Sequence, residues 1–89
     1  MFERFSGLSI EEKKNLKIDD FTVSEIRVII EETVFAKEVD VLIAELRFIR
    51  SCSHAVIAEK IGYEQERTVQ ERLKNIKERM LSTIQKIVF

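Results

Sequence analysis

The chain has 89 residues, of which 45% are hydrophobic and 35% are charged, and its formal net charge is −1 at pH 7. This length suits a single domain with a modest core, and the apolar content excludes wholesale disorder. Proline is absent and glycine occurs only at positions 7 and 62, which disfavours a sheet with many tight turns. The composition therefore favours an all-α fold, which we expect to contain four to five helices.

The sequence predicts a cytoplasmic protein that does not enter a membrane. No apolar run approaches the ~18 residues that a membrane-spanning helix needs. The first residues, MFERFSGLS, lack the basic start and apolar stretch of a signal peptide. The single cysteine, Cys52, cannot form an internal disulfide and fits a reducing compartment.

The first half of the chain predicts an arm followed by two helices. Residues 1–8 form the arm, with loose apolar contacts through Phe2, Phe5 and Leu8. Ser9 is a natural cap for a helix over residues 10–16, and Thr22 with Glu25 forms the capping box of the next helix. That second helix carries its apolar residues at helical spacing: Val23, Ile26, Ile29, Ile30 and Val34.

A break near residues 35–37 precedes a third predicted helix, roughly over residues 38–49. Its apolar stripe consists of Val39, Leu42, Ile43, Leu46 and Ile49. A short connection over residues 50–52 follows and leads to the most informative part of the chain.

Residues 53–74 predict a helix-turn-helix. Ser53 is the expected cap of the first helix, which turns Val56, Ile57 and Ile61 inward. Ala58 offers the small side chain that close helix packing requires, and Gly62 suits the left-handed backbone of a helix end. The second helix is expected to start near Glu64 or Gln65, with Val69 and Leu73 on its inner face.

The second helix is predicted to continue as an extension over residues 75–89, almost to Phe89. Its apolar spacing is close to that of a coiled-coil seam, formed by Val69, Leu73, Ile76, Met80, Ile84 and Ile87. A helix of this length exceeds what a small three-helix core can cover. The far end of the seam therefore predicts either a homodimer interface or packing against the helix over residues 22–34. The dimer interpretation assigns the interface to Met80, Leu81, Ile84, Ile87 and Val88.

Charge is distributed unevenly along the chain. Residues 9–45 contain ten acidic and five basic side chains, whereas residues 46–89 contain five acidic and nine basic ones. The basic half is the half that holds the predicted helix-turn-helix. This asymmetry is expected of a protein with one face that meets phosphates.

Three segments carry a resemblance that spans most of the chain: LRFIRSCSHAVIAEKIGY (Leu46–Tyr63), RTVQERLKNIKERM (Arg67–Met80) and LSIEEKKNLKIDDFTVSEIRVIIEE (Leu8–Glu32). Together they resemble small helix-turn-helix proteins of bacterial phages and prophages, whose motif is like region 4 of sigma factors. The resemblance implies a DNA-binding transcriptional regulator that places its second motif helix in the major groove of double-stranded DNA.

Helical geometry predicts which side chains face the DNA. With Val69 and Leu73 in the core, Arg67 could reach guanine, Gln70 could pair with adenine, and Lys74 could hold a phosphate. Residues flanking the motif could add phosphate contacts. The predicted DNA-binding set is Gln65, Arg67, Gln70, Glu71, Lys74, Ser53, Lys60 and Arg50, with Arg47 as a further flanking cation. The alternative for the same helix face is a solvated surface with weak ion pairs such as Arg67 to Glu71.

A second hypothesis is a helical protein-interaction module that keeps the scaffold without binding DNA. Its partner would be a host protein such as RNA polymerase. The acidic first half favours it, as do Glu64, Glu66 and Glu71, because carboxylates repel phosphates. The turn of four residues, 64–67, is also one residue longer than is usual in the motif. A purely structural oligomer subunit is a third possibility.

The sequence predicts no enzyme, cofactor or metal site. The adjacent acidic pairs point about 100° apart on a helix and so do not oppose each other across a cleft, and no nucleophile has an obvious base. There is no glycine-rich phosphate loop. His54 and Cys52 alone are too few for zinc, which needs about four ligands, unless a dimer shares the metal.

Overall fold

The computed structural model describes residues 1–62 and 65–89. These residues form five α-helices, which confirms the predicted all-α fold and the long C-terminal helix. The helices are α1 (Ile10–Lys14), α2 (Val23–Glu32), α3 (Glu38–Ala44), α4 (His54–Ile61) and α5 (Glu66–Val88). Short 3₁₀ turns occur at Glu3–Phe5 and Ile18–Asp20, and a π-helical turn, Glu45–Ile49, extends α3. Tyr63 and Glu64 lie outside the described residues. In the rest of the predicted turn, 64–67, Gln65 is the N-cap of α5, whereas Glu66 and Arg67 already belong to that helix, so the turn is wrong at these two positions.

Local sequence signals set the helix ends. The Ser9, Thr22 and Ser53 hydroxyls accept hydrogen bonds from backbone N–H groups three residues on, which confirms all three predicted N-caps. Glu25 also accepts from the Thr22 N–H at 2.7 Å and so completes the predicted capping box. At the other end of α4, Gly62 has φ 79° and caps the helix in the left-handed conformation, as predicted.

Helix α5 is the central helix of the fold. It packs against α1, α2, α3 and α4 within a molecule that measures 44 × 19 × 18 Å. At ~1.5 Å per residue, its 23 residues span roughly 34 Å. Its apolar stripe is almost fully buried, which confirms the inner face predicted from spacing: Val69, Leu73, Ile76, Met80 and Ile84.

The far end of α5 folds back on its own chain, so the dimer assignment is wrong for three of its five residues. Met80 and Ile84 have no exposed surface and Val88 is 8% exposed, which leaves them no area for a partner. The Thr33 and Thr83 hydroxyls join α2 to α5 at 2.7 Å, and the Gln85 amide donates to the Lys13 carbonyl at 2.7 Å. The alternative prediction, packing on the second helix, is the observed one. Of the other two residues of the predicted dimer interface, Ile87 is half-buried against the core and Leu81 is 36% exposed.

The predicted loose arm is instead part of the core. Phe5 is 5% exposed, and its ring centroid lies 4.7 Å from that of Phe21 and 6.5 Å from that of Phe2. Arg4 lies over the Phe5 ring and donates from Nε to Glu25 Oε2 at 3.1 Å. These hydrogen bonds from Arg4 lower the pKa of Glu25, although burial opposes the shift.

Some apolar residues assigned to the core lie at the surface. Val34 is 82% exposed because α2 ends at Glu32 and the chain leaves the helix before it. Leu42 is 44% exposed on α3 and Val56 is 39% exposed on α4. Both helices present a narrower stripe to the core than the apolar spacing suggested. No helix among residues 1–62 and 65–89 combines the length and hydropathy needed to cross a membrane.

Candidate nucleic-acid interface

The first half of α5 combines a buried face with an outer face that is open to solvent. Val69 and Leu73 point into the core, and α4 packs behind them through Ile57 and Ala58. The predicted DNA-facing side chains of this region are all exposed, as helical geometry required: Gln65, Arg67, Gln70, Glu71 and Lys74. Helical spacing places Arg67, Gln70, Glu71 and Lys74 on one accessible face, while Gln65 is the N-cap residue that precedes α5.

The outer face of α5 separates charge into two neighbouring stripes. Steps of three and four residues place Arg67, Gln70, Lys74 and Lys77 in one line, which we call the cationic stripe. The same spacing aligns Glu71, Asn75 and Glu78 beside it as an acidic stripe. The cationic stripe offers three positive charges along about three turns, a spacing suited to a polyanion.

One ion pair links the two stripes. Arg67 Nε lies 3.4 Å from Glu71 Oε1, and the two side chains are 83% and 69% exposed. Such an exposed i,i+4 pair contributes only a few tenths of a kcal/mol. Arg67 can therefore leave Glu71 for a stronger acceptor at little cost.

The predicted flanking contacts have different surroundings. The Ser53 oxygen accepts from the Val56 N–H at 3.2 Å, so its first role is to cap α4, and its own hydroxyl proton is left for another acceptor. Arg50 and Lys60 are exposed, and neither forms an ion pair with any residue in the described ranges. The structure gives no contact that joins these three residues to the cationic stripe.

Arg47 has a structural role that the sequence did not indicate. Its Nη1 donates to the Cys52 carbonyl at 2.9 Å, and the Cys52 N–H donates to the Leu46 carbonyl at 2.9 Å. Ser51, directly before Cys52, adopts φ 56°, a left-handed conformation that is uncommon outside glycine. These bonds fix the connection that leads into α4.

A buried ion pair fixes α5 against α3. Asp40 has no exposed surface and accepts from Arg72 Nε at 3.0 Å, with a second bond from Arg72 Nη2. Sequence reasoning missed this pair. A signal was present, since Arg72 follows Val69 by three residues and precedes Ile76 by four, which places it beside the core stripe. The pair sets the position of the helix that carries the cationic stripe.

Cys52 and His54 are both half-buried. Within the described part of the chain, no three His, Cys, Asp or Glu side chains come close enough to hold a metal ion. Comparison with known proteins adds no assignment: no protein-family model matches the chain, and no curated protein or solved structure matches it.

Proposed function

We propose that this protein is a small DNA-binding transcriptional regulator of the phage type, which places the first half of α5 in the major groove. The observation that supports this best is the cationic stripe, exposed on a helix whose opposite face is locked into the core. A rigid helix with an accessible polar face is what major-groove readout requires.

In this proposal three residues of the stripe have separate tasks. Arg67 donates to the guanine edge, Gln70 pairs with adenine, and Lys74 neutralises a phosphate. Glu71 beside them can accept from the cytosine amino group. Gln65, Ser53, Lys60 and Arg50 supply further polar or phosphate contacts around the site.

The first experiment measures binding of a labelled random-sequence duplex by fluorescence anisotropy at about 50 and 200 mM salt. We expect Arg67→Ala/Lys74→Ala to weaken binding. The plot of log K against log salt concentration should become less steep, its slope falling in magnitude by about one to two. The matched control is Lys14→Ala/Lys86→Ala, which removes the same charge from two exposed positions away from the stripe. Absence of binding at the lower salt, or an equal loss in the control, would overturn the proposal.

A second candidate function is binding to a host protein such as RNA polymerase. The observation that favours it is an acidic surface with exposed apolar side chains on α3. Val41 is 38% and Leu42 is 44% exposed, between the exposed Glu38 and Glu45. Isolated apolar residues are common on surfaces, whereas exposed apolar side chains with polar residues around them are a feature of protein interaction sites.

The two candidates differ in which variants matter. Binding to purified bacterial RNA polymerase, measured by biolayer interferometry, should weaken in Leu42→Lys and Glu71→Ala if the second candidate holds. Arg67→Ala should then have little effect. The reverse pattern, with DNA binding lost in Arg67→Ala, supports the regulator.

A further inference from the structure

A groove of about 520 Å³ lies against α5 at Lys77 and Leu81. Four parts of the chain form it: residues 16–19 before α2, Ile26 of α2, the π-helical turn with Ser51, and the middle of α5. We call it the basic groove. It shares Lys77 with the cationic stripe, whereas Arg67, Gln70 and Lys74 do not line it.

The walls of the basic groove combine two kinds of surface. Lys17, Arg47 and Lys77 supply three positive charges, against the single negative charge of Asp19. Lys17 and Lys77 are exposed, and within the described ranges neither forms an ion pair. The groove therefore has unneutralised positive charge available for a ligand.

Five apolar side chains also line the basic groove: Leu16, Ile18, Ile26, Phe48 and Leu81. Leu16 and Phe48 are half-buried, and Leu81 of α5 is 36% exposed. Phosphate groups would make no favourable contact with these apolar side chains. An apolar side chain with carboxylates around it matches both the apolar and the positively charged residues of the groove.

We propose that the basic groove binds an acidic segment of a partner protein, in which one or two large apolar side chains are flanked by Asp and Glu. The apolar side chain would cover Leu16, Phe48 and Leu81. The flanking carboxylates would pair with Lys17, Arg47 and Lys77. Arg47 keeps donors for this purpose, because among the described residues it uses Nη1 alone, in the bond to the Cys52 carbonyl.

The test uses a fluorescein-labelled synthetic peptide of about 12 residues, ~18 Å long as a helix, with a central Leu-Phe pair among Asp and Glu. Two matched peptides replace either the acidic residues by Lys or the apolar pair by Ser. We expect the first peptide to bind on the order of tenfold more tightly than either control. Its amide chemical-shift changes should map to Leu16, Phe48 and Leu81.

Two variants of the groove sharpen the result. Lys77→Glu and Leu81→Ser should each weaken peptide binding roughly threefold to tenfold. Lys86→Glu changes the same charge on the same helix outside the groove and should leave binding unchanged. Leu81→Met keeps an apolar side chain in the groove and should bind as the wild type does. This control separates an effect on the groove from a loss of folding.

Three outcomes would overturn the proposal. The three peptides could bind equally or not at all. A duplex oligonucleotide, rather than the acidic peptide, could shift the groove residues and lose affinity in Leu81→Ser. The groove signals could move on dilution without peptide, with sedimentation showing a second copy as the occupant. None of these results depends on whether Arg67, Gln70 and Lys74 bind DNA, because Arg67→Ala tests that separately.

Discussion

Asp40 and Arg72 lie 32 positions apart in the chain, and together they form the buried charged contact between α3 and α5. The carboxylate has no exposed surface, and the Arg72 side chain is 22% exposed. Two bonds from Arg72 and one from the Lys37 N–H at 3.2 Å satisfy the carboxylate oxygens. An arrangement of this kind is costly to break from one side only, because the other charge stays buried.

We predict that Arg72→Met lowers the free energy of unfolding by about 3–5 kcal/mol, since it leaves Asp40 buried without its countercharge. Asp40→Leu/Arg72→Met should recover most of the loss, because no charge then remains buried. Urea denaturation of the wild type, Asp40→Leu, Arg72→Met and the double variant gives the coupling energy. The matched control is Arg67→Met, which breaks an exposed pair and should cost less than ~1 kcal/mol. Additive losses in the double variant would contradict the prediction.

The hydrogen bonds between Arg4 and Glu25 predict a pH dependence of stability. Arg4 lowers the pKa of Glu25 in the folded protein, so the folded state holds the carboxylate in its charged form. The stabilisation is therefore complete above the unfolded-state pKa of about 4.3 and is lost as the pH falls through the lower folded-state pKa.

Glu25→Gln should accordingly be less stable than the wild type at pH 7, by about 1–2 kcal/mol. The difference should shrink below about pH 4. Thermal unfolding followed by circular dichroism from pH 7 to pH 3 measures both effects. Glu59→Gln, at an exposed position on α4, serves as the control and should follow the wild type. A Glu25→Gln deficit that stays constant over this range would exclude the assigned ionic contribution.

The packing of Phe5 predicts that the first residues contribute to stability. Phe5→Ala should cost about 3–5 kcal/mol, because it opens a cavity against Phe21. Phe89→Ala, at a side chain that is 60% exposed, should cost less than ~1 kcal/mol. Urea denaturation of both variants decides the matter, and equal small losses would restore the interpretation of residues 1–8 as a loose arm.

The two glycines offer a matched pair. Gly62 has φ 79°, and a Cβ added there would meet no described residue within 4 Å, so Gly62→Ala isolates the conformational cost. We expect a loss of about 1–2 kcal/mol. Gly7 also has open space around it for a side chain and does not share the positive φ. Gly7→Ala should therefore be neutral or slightly stabilising. Similar melting temperatures for the two variants would contradict this account.

Sequence reasoning succeeded where the determining contacts are local. The caps at Ser9, Thr22 and Ser53 depend on residues three positions away, and the buried stripe of α5 follows from helical periodicity. The exposure of Arg67, Gln70 and Lys74 follows from the same periodicity. What these side chains bind is not determined by periodicity, and it stays a prediction.

Sequence reasoning failed where the partner lies far along the chain. Apolar spacing showed that Met80 and Ile84 needed cover, but it did not distinguish a second copy from α2. The burial of Phe5 depends on Phe21, sixteen residues on, and Asp40 meets Arg72 only because α3 packs on α5. The π-helical turn after Ala44 also has no marker in the sequence, since no glycine or proline accompanies it.

The separation of the two faces of α5 means that binding preference can change independently of folding. The side chains at positions 67, 70, 71 and 74 are solvent-exposed, and of the contacts among them the structure shows one weak ion pair. A combinatorial library over these four positions should therefore yield folded proteins at high frequency, with new specificities selected from a constant framework.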